Sequence, residues 1–218
     1  MASILIVCTG NICRSPMAEG FLQRLLGERR LRASIRVSSS GIAGLTGSTP
    51  MPEAVVAAGE RGADISHHVA RRFDPGEARQ ADLVLAMTGG HRARVIDLAP
   101  DAASRTFTLK ELVRLLEELR DPAPEADPGD VLRRRVAEAD ALRRSGFEGN
   151  AHDEDVPDPM GMPQQTYDAV AWDIDEWCTR LVAGLFGGDS GATGELEDAP
   201  AGRIPAAPPR PDIWPGGA

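Results

Sequence analysis

The chain has 218 residues, 42% of them hydrophobic and 26% charged, with 33 acidic against 24 basic side chains and a formal charge of −9. That length gives one ordinary domain with room for a sizeable core, and the composition is globular. No apolar run approaches the ~20 residues that span a bilayer, and Ser3–Cys8 is too short for a signal-peptide core, so the expectation is a cytoplasmic protein without membrane insertion.

Three cysteines cannot build a disulfide framework, and Cys8 and Cys13 lie close enough together to suggest chemistry. The charge is uneven. Residues 1–119 carry 15 bases and 13 acids, whereas residues 120–218 carry nine bases and 20 acids. The first part therefore keeps positive charge to meet an anion. Aromatic residues make up only 4%, and no basic stripe interleaves with them, which argues against a nucleic-acid partner.

In chain order, Ser3–Cys8 is a continuous apolar run that suits a buried parallel strand. Ser15-Pro16 then opens a helix, with Ser15 as cap, Pro16 in the first turn and Glu19 near the positive end. Its buried face is Met17, Phe21, Leu22, Leu25 and Leu26. Ile35–Ser39 reads as a second strand, followed by a Gly/Ser/Thr/Pro-rich loop from Ser40 to Pro52. Glu53–Gly59 is helical, Asp82–Met87 a third strand, His91–Leu98 helical and Arg105–Thr108 a fourth strand. Leu109–Leu119 is a helix with Leu112, Leu115, Leu116 and Leu119 on one face. Asp121–Glu154 is an insert rich in Asp, Glu and Arg, within which Val131–Arg144 has the pattern of an amphipathic helix. Its charge suits a solvated excursion more than a cover for the site or a partner-binding arm. From Tyr167, apolar residues recur at helical spacing through Val170, Ile174, Cys178 and Leu181 to Leu185, a docked final helix. Gly187–Ala218 has the composition of a disordered tail. Strands alternating with helices predict a doubly wound α/β fold whose ligands bind at the carboxyl ends of the strands.

Cys8 stands at such an end. Between the first strand and the first helix lies Cys8-Thr9-Gly10-Asn11-Ile12-Cys13-Arg14-Ser15. A strand, a loop of small polar residues and a helix N-terminus can cradle a phosphate with successive backbone N–H groups. Arg14 adds a guanidinium that grips two phosphoryl oxygens at once. Cys8, in the same positive field, is the nucleophile expected to form a phosphocysteine by in-line attack, with Ser15 bonded to its sulfur. Displacement needs an acid for the departing oxygen, and Asp158, stiffened by Pro157 and Pro159, supplies one; Asp155 is its rival. Cys13 is either a small buried residue or a redox partner, and His68 is read as structural.

The run C-T-G-N-I-C-R-S-P-M-A-E-G at Cys8–Gly20 is similar to the opening of the low-molecular-weight protein tyrosine phosphatases. The likeness extends through Ser39-Ser40-Gly41, Asp64–Arg71, Asp82–Met87 and Asp158-Pro159. It implies a flavodoxin-like sandwich with a four-stranded parallel sheet and a phosphate loop after strand 1, in a phosphatase domain over residues 1–186. It also implies hydrolysis of phosphotyrosine in proteins without metal or other cofactor, with a phosphorylated protein as substrate partner and a phosphate ion in the site. Carried over by position, Cys8 is the nucleophile, Arg14 the clamp and Asp158 the acid. Asn11, Ser15, Ser39 and His68 form a network holding the loop, while Cys13 matches a second cysteine able to pair with Cys8 under oxidant. Oligomeric state is not implied.

Two departures bear on specificity. Family members usually carry an aromatic residue where Leu45 stands, and tyrosines where Met160-Gly161 follow Asp-Pro. Aliphatic walls still pack on a ring but forgo stacking of ~0.5–1.5 kcal/mol. Three alternatives stay open. Protein arginine phosphatases of the family typically carry Thr where Ile12 stands. Arsenate reductases need further redox cysteines, which residues 82–89 lack. A phosphate-binding module without turnover is the third.

Overall fold

The computed structural model describes residues 1–122, 127–147 and 154–187. The tail predicted over 187–218 falls outside these residues except for Gly187, as do parts of the 121–154 insert.

Strand β1 (Ala2–Cys8) leads through the 9–13 loop into helix α1 (Arg14–Glu28), and β2 (Ile35–Gly41) precedes α2 (Pro52–Glu60). A short helix α3 (Pro75–Gln80), capped by the Asp74 side chain on Gly76 N–H, was not foreseen. Then come β3 (Leu83–Ala86), α4 (Gly89–Leu98), a 3-10 turn (Pro100–Arg105) and β4 (Thr106–Thr108). Helices α5 (Leu109–Glu118), α6 (Pro128–Arg144) and α7 (Gln164–Phe186) complete the described chain. The predicted strands and helices are present with ends shifted by a few residues. A larger difference lies at α1. It begins at Arg14, and Cys13 occupies the cap position without a side-chain cap bond. Ser15 lies inside the helix because its hydroxyl is used elsewhere, as described below.

Among the described residues the strands form a parallel four-stranded sheet in the order β2-β1-β3-β4. Register pairs Cys8 with Gly41, Val7 with Ala86 and Ala86 with Thr108, so the carboxyl ends of all four strands open on one edge. Period-two alternation splits β1 between two cores. Ile4, Ile6 and Cys8 face a large core shared with α1, α2, α5, α6 and α7, while Leu5 and Val7 face a smaller one under α3, α4 and the 3-10 turn. Helices thus cover both faces, the expected doubly wound sandwich.

Helix α6 corrects the reading of the insert as a solvated excursion. Leu132, Val136 and Ala139 belong to the large core. The Arg135 side chain is 3% exposed, and its guanidinium donates to the carbonyls of Leu116, Arg120 and Gly184. These carbonyls lie at or just beyond the ends of α5 and α7, where helices leave acceptors unsatisfied. One buried arginine therefore ties three helices together.

Candidate active site

The shape of the 8–14 loop follows from where its carbonyls go. Those of Cys8, Thr9, Gly10 and Ile12 accept from the amides of Ile42, Ala43, Leu45 and Met51, all in the segment after β2. The Asn11 carbonyl accepts from His68 Nε2 at 3.1 Å. In a planar trans peptide the C=O and the following N–H point in opposite directions. Five carbonyls turned outward therefore turn the N–H groups of residues 9 to 13 toward the concave side. The Asn11 amide shows it, donating to Cys8 Sγ at 3.3 Å.

Asn11 has φ +60°, an uncommon conformation for a residue with a side chain, though Asn tolerates it best. Its fully buried amide is bonded at both ends. Nδ2 donates to Ser15 Oγ (2.9 Å) and Ser39 Oγ (2.8 Å), and Oδ1 accepts from Arg71 N–H (2.9 Å). Ser39 in turn donates to Glu19 Oε2 at 2.6 Å, and His68 Nδ1 lies 3.7 Å from the same oxygen. Because Ser15 Oγ accepts from Asn11, its own hydrogen is left for Cys8 Sγ, 3.0 Å away. The Cys8 sulfur thus faces the Ser15 hydroxyl and the Asn11 amide at the N-terminus of α1.

Arg14 and Asp158 meet although 144 residues separate them. Arg14 Nη2 donates to Asp158 Oδ2 at 2.6 Å, and Nη1 to the Val156 carbonyl at 3.1 Å. The Asp158 side chain is 46% exposed against 6% for Arg14, so the carboxylate sits at the mouth and the guanidinium in the wall. Asp155, the rival acid, instead accepts from Gly89 N–H at 2.7 Å. Leu45, Met160 and Met162 are about half exposed; Leu45 is bonded through its amide to Gly10 and Met160 through its amide to Asp158. Ile12, which is buried, lies near Leu45 beside Gly10. The mouth is therefore aliphatic.

Cys13 is buried, its Sγ 4.0 Å from Tyr167 Oη, and burial pushes its thiol up to about 12. It stays protonated at neutral pH. No cluster of three or more His, Cys, Asp or Glu side chains that could hold a metal occurs among the described residues.

All the residues predicted from sequence converge here: Cys8, Thr9, Gly10, Asn11, Ile12, Cys13, Arg14 and Ser15 in the loop, with Ser39, His68 and Asp158 around it. Sequence reasoning missed Arg71, whose backbone amide holds Asn11, and gave no role to His91. The ring of His91 lies 2.8 Å from Thr9 Oγ1 through Nε2 and 2.8 Å from Thr88 Oγ1 through Nδ1. Nothing local marks either one, since both act through contacts between distant segments.

Residues 3–138 match the family described as low molecular weight phosphotyrosine protein phosphatase. The chain belongs to this family of cysteine-dependent phosphatases. It is similar to the low molecular weight protein-tyrosine-phosphatase Etp of Escherichia coli K12, 35% identical over 120 residues covering 55% of this chain and 76% of Etp. It is also similar to the protein-arginine-phosphatase of Geobacillus stearothermophilus, 29% identical over 182 residues covering 84% and 95% of the two chains. A solved YwlE arginine phosphatase, a cysteine-to-serine mutant with a phosphorylated active site serine, superposes with a TM-score of 0.63 at 26% identity, covering 84% of this chain and 95% of that one. The match of 3–138 stops short of Asp158, whose place beside Arg14 is given by the fold and by their bond.

Proposed function

We propose that this phosphatase hydrolyses phosphotyrosine in proteins through a phosphocysteine intermediate. The observation that carries the reading is the Arg14–Asp158 contact beside a sulfur held by two donors, which joins clamp, acid and nucleophile in one place. Inward N–H groups of residues 9–13 and the Arg14 fork receive the phosphoryl oxygens. Cys8 Sγ attacks phosphorus, the P–O bond to the leaving group breaks, and Asp158 delivers its proton to that oxygen. Asp158, now a carboxylate, takes a proton from water as the water attacks phosphorus. The P–S bond breaks and the thiolate returns to the Ser15 hydroxyl and the Asn11 amide.

A second reading, protein arginine phosphatase, is favoured by the longer alignment with the Geobacillus relative. Against it stands Ile12, a buried apolar side chain beside Gly10 in the phosphate loop that offers no hydrogen bond to a guanidinium. Phosphate release from phosphotyrosyl and phosphoarginyl peptides, alongside Cys8→Ser, tests both. Cys8-dependent release with phosphotyrosine preferred is the expected result, and a preference for phosphoarginine moves the protein to the second reading. Absence of release, with phosphate still bound, overturns both in favour of a binding module.

A further inference from the structure

Five consecutive residues, Met87 to His91, touch both halves of the site. On one flank, Thr88 Oγ1 caps α4 by accepting from His91 N–H at 3.1 Å. It also lies 2.8 Å from His91 Nδ1, and Nε2 of the same ring lies 2.8 Å from Thr9 Oγ1. Thr9 Oγ1 also lies 3.5 Å from Arg14 Nη2. On the other flank, Gly89 N–H donates to Asp155 Oδ1 (2.7 Å), the Met87 carbonyl accepts from Val156 N–H (2.8 Å), and the Val156 carbonyl accepts from Arg14 Nη1 (3.1 Å). The first flank holds the residue after Cys8; the second holds the residue three before Asp158.

We propose that the first turn of α4 sets the spacing between the acid loop and the phosphate loop, with His91 and Asp155 as its two positioning residues. The proposal rests on the phosphatase reading and adds to it two residues that touch neither substrate nor reacting atoms. Both ring nitrogens of His91 are committed to threonine hydroxyls, so it has no proton to trade with a substrate. A neutral ring meets the two hydroxyls with one nitrogen accepting and the other donating. Burial, and then Arg14, push His91 down to about 4, against smaller opposing effects of Asp158 and Asp155, so the neutral form persists at physiological pH. Asp155 is exposed, yet its carboxylate accepts from the first amide of α4, as a cap does, whereas Asp158 meets Arg14.

The test compares His91→Gln with His91→Leu and Asp155→Asn with Asp155→Ala. Readouts are kcat and KM on phenyl phosphate and p-nitrophenyl phosphate, and calorimetric binding of inorganic phosphate. Asp155→Ala is expected to lower kcat on phenyl phosphate about tenfold to a hundredfold, the scale of a misplaced catalytic group. The loss should be smaller on p-nitrophenyl phosphate, whose leaving group needs no proton. Asp155→Asn, which keeps the acceptor for Gly89, should recover most of that loss. His91→Leu should weaken phosphate binding and raise KM on both esters alike, and His91→Gln, able to bond Thr9, should recover most of the effect. Equal behaviour of Gln and Leu at 91, or of Asn and Ala at 155, overturns the proposal. A wild-type protein with no turnover above Cys8→Ser overturns the phosphatase reading instead, and the phosphate affinity of the two His91 variants still decides the His91 arm.

Discussion

Asp158 and Arg14 are 144 residues apart in sequence and 2.6 Å apart in space, and their pairing supports Asp158 over Asp155 as the proposed acid. Asp158→Ala should cost about 10²–10⁴ in kcat on phenyl phosphate and much less on p-nitrophenyl phosphate, measured under saturating substrate. His91 makes a different prediction at this scale. The folded protein keeps its ring neutral down to about 4, whereas an exposed histidine takes its proton near 6.5. Between those values the unfolded chain binds the extra proton. This histidine therefore makes stability fall as pH drops from 6.5 toward 4 and adds no further slope below that. Thermal melts across this range should show a shallower acid-side loss in His91→Gln than in the wild-type protein.

At the scale of elements, the loop's shape is imposed by its neighbours. A loop with φ +60° at a buried asparagine holds that geometry only where the surroundings over-determine it. Here the 42–51 segment takes four carbonyls, while the 68–71 segment takes the Asn11 carbonyl and side chain. These two segments are themselves in close contact at Gly44, where a Cβ would overlap the Arg71 carbonyl. Gly44→Ala must therefore displace residue 71, whose amide holds the Asn11 side chain. The expected result is a loss of about 1–3 kcal/mol in unfolding free energy together with weaker phosphate binding, read by denaturant titration and calorimetry. Loss of stability with unchanged phosphate affinity would show that the loop does not depend on this support.

For the whole molecule, the sheet edge brings Cys8, Gly41, Ala86 and Thr108 to one level, and the helices that follow β1 and β3 place α1 and α4 around the same mouth. Stability is carried at a distance from that mouth. Arg135→Ala takes this donor from the Arg120 and Gly184 carbonyls, at about 2–6 kcal/mol if both are left unsatisfied, while Leu116 keeps the Leu119 amide. The melting temperature should fall while kcat and KM at lower temperature stay near wild type. A parallel loss of activity in the folded variant would mean that α6 also supports the site.

The sequence by itself determined those parts that rest on local order. These were a buried first strand from its apolar run, a helix opening at Ser15-Pro16, the loop from Cys8 that joins them, and α7 from its repeating apolar positions. An ordered motif of that kind marks Cys8 and Arg14 because strand, loop and helix are consecutive, so their geometry is short-range. The tertiary structure alone decided the rest. Ser15 looked like a cap because serine usually bonds its own helix, but a sulfur and an asparagine compete for its hydroxyl. The sequence favoured Asp158 over its rival Asp155 only through the flanking prolines, whereas the fold sets Asp155 on a helix amide and Asp158 on Arg14. The acidic 121–154 segment looked solvated because charge dominates its composition, yet one apolar stripe and one buried arginine suffice to dock α6. His91 carried no local mark, because its meaning lies in a threonine 82 residues away.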